Sequence, residues 1–239
     1  MIPPVPAYAC SDGVIAFAGA NSTRVPTAEE NGFQMTPEDA KKYVKPSTRQ
    51  IMVNSPSNPA GTVVSRDDLK KLAEVGPMLL SDEIYHGLTY EGKAASALEV
   101  TDNCLIADGF SKRYAMTGWR LGWVVLPQSM VGLVNTVQQN FFICASSFAQ
   151  WAGVAAIKEA GPDVVRMREE YNRRRQVIME GLKKLGFGIK SSPAGAFYVM
   201  ADARFLGGDS LGLAFDIREK AHVGAAPGID FGPEAEGYL

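Results

Sequence analysis

Four short apolar runs constrain the fold of this chain more than any other feature. They are QIMVN (50–54), MLLSD (78–82), CLIAD (104–108) and LGWVVLP (121–127). Runs of this length, rich in Val, Ile and Leu and bounded by polar or turn residues, read as buried strands. Helix signals lie between the first runs. Thr36-Pro37-Glu38-Asp39 supplies an N-cap hydroxyl and a proline in the first turn. Ser65-Arg66-Asp67-Asp68 caps a second helix reaching about Glu74. Strands alternating with helices predict an α/β fold with a mostly parallel sheet covered on both faces. Trp119 and Trp123 read as core residues.

Beyond Pro127, helical patterns run to about Lys158, and a long charged amphipathic helix spans about Pro162 to Leu185. A shorter α/β segment follows, with strand-like FYVM (197–200) and helix-like LAFDIREKA. The expected division is a large domain, 1–167, and a smaller C-terminal α/β domain, 168–239. Arg173, Arg174 and Arg175 share their helix with Glu169 and Glu170, which predicts a self-paired solvated face rather than a nucleic-acid patch.

Composition narrows the function classes. The 239 residues are 46% hydrophobic and 21% charged, with a net charge of -2. That balance gives no electrostatic case for nucleic acid or an anionic membrane surface. No apolar run approaches a membrane span. Cys10, Cys104 and Cys144 are scattered and odd in number, which predicts reduced thiols and a cytoplasmic setting. Two histidines give no basis for a histidine-rich metal site. MIPPVPAYAC carries no leader pattern. It opens on apolar residues, and GIDFGPEAEGYL stops as a new apolar run begins. Both ends are therefore expected to be cut from a longer chain.

In open α/β sheets, ligands gather beyond the carboxyl ends of the strands. After QIMVN comes the turn Ser55-Pro56-Ser57-Asn58-Pro59-Ala60-Gly61. MLLSD ends on Asp82, followed by Glu83 and Tyr85. CLIAD leads into Ser111, Lys112 and then Arg120. An amide, a carboxylate, a phenol, an amine and a guanidinium would thus meet at one sheet edge. This set suits pyridoxal 5'-phosphate. A lysine amine can form its Schiff base, and a carboxylate can keep its pyridine nitrogen protonated. An amide and a phenol can face its ring oxygen, and an arginine can bind its phosphate in bidentate fashion.

NSPSNPAG, SDEIY and GFSKRYAMTGWRLG resemble three signature segments of the class I/II aminotransferases, the aspartate-aminotransferase-like fold type I enzymes. They stand in the family's order and at similar spacing. PAGAFYVM and PGIDFGPEAEGYL resemble its small domain. The resemblance implies that Lys112 is the Schiff-base lysine and proton carrier. It implies that Asp82 faces the pyridine nitrogen and that Asn58 and Tyr85 face the ring oxygen. Ser111 and Arg120 would contact the phosphate, and Tyr8 would stack on the ring. Ala60 stands where threonine is commoner in the family, and Gly109 where some members have a serine; both are mild departures. The resemblance also implies amino acid and 2-oxo acid substrates and a homodimer. It places a phosphate-cradling loop upstream of Tyr8 and a carboxylate-binding arginine past Leu239, so it implies a partial chain.

Each residue also has a plainer reading. Lys112 alone would be a solvated cation, Asp82 a helix cap, Asn58-Pro59 a turn, Tyr85 a packed aromatic and Arg120 half of a surface ion pair. Their joint occurrence in order favours the aminotransferase. A lyase or synthase of the same fold, or a non-catalytic remnant, are the alternatives. A nucleotide-binding dehydrogenase or kinase ranks behind them, because no glycine-rich phosphate fingerprint follows the first strand.

Overall fold

The computed structural model describes all residues, 1–239. Two short strands, β1 (Pro4–Val5) and β2 (Val25–Pro26), pair in parallel. The central sheet is β3 (Gln50–Asn54), β4 (Met78–Asp82), β5 (Cys104–Gly109) and β6 (Gly122–Val125), in that order. β3, β4 and β5 run parallel, and β6 closes the edge antiparallel to β5. The mostly parallel α/β sheet predicted from the sequence is present.

The apolar runs do not bury both faces. Along β3 and β4 buried and half-buried residues alternate, as a two-residue period requires. Ile51, Leu79 and Cys104 form one register row, and Val53, Ser81 and Ile106 another, all buried. Helices α2 (Pro37–Tyr43) and α3 (Arg66–Ala73) cover this face through Ala40, Leu69 and Leu72. Both helices start where their caps predict. Thr36 Oγ1 accepts from Asp39 N at 3.1 Å, and Ser65 Oγ accepts from Asp68 N at 3.0 Å. The intervening row, Asn54, Asp82 and Ala107, lies on the opposite, half-buried face at the carboxyl ends of the strands.

Three further expectations need correction. β6 is not a buried strand: all four of its residues are exposed, and Trp119 and Trp123 are exposed with it. Its hydrophobicity is real, but an antiparallel edge strand is covered only where another element lies on it. FYVM forms no strand. Ala196 takes a left-handed φ of 57°, and Ala196 N bonds Leu88 O at 2.9 Å, so tertiary contacts override the local β preference. Arg175 leaves the self-paired face of its helix. It donates to Pro193 O at 2.6 Å, pairs with Glu91 at 2.8 Å and stacks on Tyr90, whereas Arg173 and Arg174 do bond Glu170.

The remaining helices are α4 (Gln128–Phe141), α5 (Ser147–Glu159), α6 (Gly161–Lys184) and α7 (Ser210–Ala221), after the short α1 (Ser11–Phe17). α4 and α5 leave Leu133, Val137, Phe141, Phe148 and Trp151 exposed. No helix is long and apolar enough to cross a membrane.

Candidate active site

The chain segments after β3, β4 and β5 converge on a cavity of about 390 Å3. All seven residues singled out from the sequence line it: Tyr8, Asn58, Asp82, Tyr85, Ser111, Lys112 and Arg120. Asn54, Ile84, Ala107, Asp108, Thr117 and Tyr198 complete the wall. Sequence reasoning missed Asn54, Asp108 and Tyr198. Asn54 and Asp108 sit at strand ends, a signal that could have found them. Tyr198 comes from the far C-terminal segment and had no such signal.

Asn58 is held by the strand before it. Its backbone N–H donates to Asn54 Oδ1 at 2.7 Å, and Asn54 Nδ2 reaches across to Asp82 O at 3.2 Å. Gly61 lets this turn approach the Pro193–Tyr198 segment. Its φ is +68°, and a Cβ there would lie 2.6 Å from Pro193 Cβ. Asn58 Oδ1 is buried and has no hydrogen-bond partner within the protein. A buried acceptor in that state calls for a donor from a ligand or water.

Asp82 ends β4. Its Oδ1 accepts from Ile84 N at 3.1 Å. Burial raises its pKa, the Ile84 hydrogen bond opposes this, Glu83 adds to it, and the Lys112 charge opposes it. A carboxylate deprived of water in this way favours a cationic donor opposite it.

The turn after Asp82 carries Tyr85 to the cavity and buries Glu83 on its other side. Glu83 Oε1 accepts from Ser81 Oγ at 2.9 Å, Ser96 Oγ at 3.1 Å and Ala97 N at 2.9 Å. Its Oε2 lies 3.2 Å from His86 Nδ1. Tyr85 is 3% exposed. Its Oη lies 2.5 Å from Tyr198 Oη, and their rings meet edge to face at 5.5 Å. Burial pushes the Tyr85 phenol far up, Tyr198 and Asp82 add to this, and the Asn58 amide opposes it.

Ser111 and Lys112 lie in the turn that follows β5. Phe110 anchors that turn by packing on Tyr114 and Trp123, with Phe110 N bonded to Leu121 O at 3.2 Å. Gly109 and Gly122 face each other across β5 and β6, where a Cβ on Gly109 would come within 3.0 Å of Gly122 Cα. Any side chain at position 109 would crowd this contact. Lys112 Nζ is 6.0 Å from the Tyr85 ring centroid and 5.9 Å from that of Phe197. Arg120 takes a left-handed φ of 51° and donates to Thr117 O at 3.0 Å. Tyr8 is 50% exposed at the cavity mouth.

Comparison with known proteins gives a consistent result. The sequence profile described as aminotransferase class I and II matches residues 2–232. The (5-formylfuran-3-yl)methyl phosphate transaminase of Methanocaldococcus jannaschii is 35% identical over 238 residues, covering 98% of this chain and 61% of that protein. The aspartate/prephenate aminotransferase of Thermus thermophilus is 37% identical over 226 residues, covering 91% of this chain and 58% of that protein. The crystal structure of an aromatic aminotransferase from Pyrococcus horikoshii superposes with a TM-score of 0.94 at 33% identity, covering 99% of this chain and 66% of that one. The chain thus spans about three fifths of the length of these curated relatives. On this match of sequence profile, relatives and fold, the chain belongs to the class I and II aminotransferase family.

Proposed function

We propose that this chain holds pyridoxal 5'-phosphate through Lys112 and that the protein transfers an amino group between an amino acid and a 2-oxo acid. The observation that carries the reading is the placement of the Lys112 amine and the half-buried Asp82 carboxylate on one cavity at the carboxyl ends of β4 and β5. Family membership supports it. One feature of the electrostatics fits the cofactor: the Asp82 carboxyl, whose desolvation favours a cationic partner such as a protonated pyridine nitrogen.

Bound pyridoxal phosphate supplies an electron sink that allows a Cα–H bond of an amino acid to break. Lys112 Nζ is the covalent anchor and then the base that takes and returns the proton. Asp82 holds the proton on the pyridine nitrogen. Asn58 and Tyr85 face the ring oxygen. Arg120, with most of its five N–H donors uncommitted, and the Ser111 hydroxyl face the phosphate. Tyr8 covers the ring. The exposed apolar side chains of α4 and α5 support association into a homodimer. Cytoplasmic residence is part of the same reading and rests on the free thiols.

The test is to mix the purified chain with pyridoxal phosphate, reduce with borohydride and map the adduct by mass spectrometry. The expected result is one phosphopyridoxyl group on Lys112, lost in Asp82→Ala and Arg120→Ala. Label spread over surface lysines would refute the assignment.

A further inference from the structure

We propose that Tyr198 is a positioning residue for Tyr85: its hydroxyl donates to Tyr85 Oη and so commits the Tyr85 proton to the ring oxygen of bound pyridoxal phosphate. This rests on the cofactor reading above and adds to it a residue from the C-terminal segment.

The geometry leaves few choices. A phenol has one hydrogen to give and lone pairs to accept with. Two phenols 2.5 Å apart share one of their two hydrogens, so the pair has two orders. When Tyr85 donates to Tyr198, Tyr85 has nothing to offer the cavity. When Tyr198 donates, the Tyr85 hydrogen is free to point into it. An anionic acceptor in the cavity selects the second order, and each bond in such a chain strengthens the next. Burial raises both phenols above their ordinary range, so both hydrogens are present at neutral pH.

Tyr198 cannot easily swing away. Its segment is tied at four points: Gly195 N to Gly61 O at 2.8 Å, Ala196 N to Leu88 O at 2.9 Å, Tyr90 Oη to Ala196 O, and Arg175 Nη1 to Pro193 O at 2.6 Å. A Cβ on Gly195 would fall 2.6 Å from Pro56 Cγ, so the glycine permits this close docking. The pair therefore joins positions 113 residues apart in sequence. The other groups facing it are Asp82 at the end of β4, Asn58 after β3, Lys112 after β5 and Tyr8 from the N-terminal segment. None of these holds Tyr198 Oη in a competing hydrogen bond.

The ring oxygen carries most negative charge when Lys112 Nζ, joined to the cofactor, has lost its proton. A stronger donor to that oxygen lowers the pH at which Nζ gives the proton up, and a weaker one raises it. The experiment is a pH titration of the visible absorption band of the chain loaded with pyridoxal phosphate. Tyr198→Phe, which keeps the ring, should raise the midpoint by ~0.5–1 unit, about the worth of one hydrogen bond. Tyr85→Phe should raise it further, and adding Tyr198→Phe to Tyr85→Phe should change nothing more. Fluorotyrosine at position 198 preserves packing and donates more strongly, so it should lower the midpoint; if Tyr198→Phe fails to fold, this variant decides. An unchanged midpoint, or the same Tyr198→Phe shift in the Tyr85→Phe background, overturns the inference while the cofactor reading stands. No Lys112-linked band in the unaltered chain overturns both.

Discussion

Asn54 and Asp82 are register partners at the ends of two parallel strands, and the Asn54 amide bonds the Asp82 carbonyl at 3.2 Å. The same side chain accepts from Asn58 N at 2.7 Å. One residue thus fixes the carboxylate strand relative to the turn that presents Asn58. Asn54→Ala leaves a half-buried N–H and a carbonyl without these partners. It should cost ~1–3 kcal/mol in urea unfolding and weaken pyridoxal phosphate binding. Wild-type affinity in a destabilised Asn54→Ala chain would show that Asn58 needs no such tether.

Glu83 anchors the other side of the Asp82–Tyr85 turn. It is 4% exposed and takes three hydrogen bonds on one oxygen. Glu83→Ala would leave Ser81, Ser96 and Ala97 N unsatisfied in a buried site, a loss of ~3 kcal/mol or more. Glu83→Gln keeps one acceptor oxygen and should lose less. Chemical denaturation of both variants checks the ranking, and equal losses would contradict the acceptor argument.

Asp108 predicts a pH effect. Burial raises its carboxyl to about 6, with Glu83 and Asp82 adding to this, and the Gly109 N–H and Arg113 opposing it. Its unfolded value lies near ~3.9. The folded state therefore binds this proton more tightly. The stability Asp108 contributes is fully present below pH ~4 and is lost as pH rises through about 6. Asp108→Asn should then gain on the unaltered chain across that window and hold a constant advantage above it. The side chain is part-exposed, so solvent screening reduces the gain to ~1 kcal/mol. Urea melts at several pH values would show it, and a difference independent of pH would count against the raised carboxyl.

The sheet was legible because β3, β4 and β5 are short apolar runs between caps that form as Thr36 and Ser65 indicate. The site was legible where chemistry sits at strand ends: Asp82 ends its strand, and Asn58 and Lys112 lie in the turns that follow theirs. What failed depended on neighbours far away in sequence. β6 reads as buried from its own residues, but its exposure is set by what packs on it. Phe197–Met200 has β-forming residues, but Arg175, Gly61 and Leu88 hold its approach in a turn. Tyr198 was invisible as a site residue because its partner lies 113 positions upstream.

Arg120 tests the phosphate end of the cavity. Its left-handed backbone and its bond to Thr117 O hold the guanidinium at the rim, and only one of its N–H groups is used there. If it binds phosphate, its removal should penalise pyridoxal phosphate far more than pyridoxal, which lacks that group. A charge-assisted hydrogen bond is worth ~1.5–3 kcal/mol, so Arg120→Ala should reduce the affinity ratio of the two ligands about 10- to 100-fold. Arg120→Lys keeps the charge but not the planar fork, and should recover only part of the ratio. The comparison is independent of turnover, because both dissociation constants can be read from fluorescence quenching. A ratio unchanged in Arg120→Ala would move the phosphate away from this rim and leave Arg120 as a surface cation.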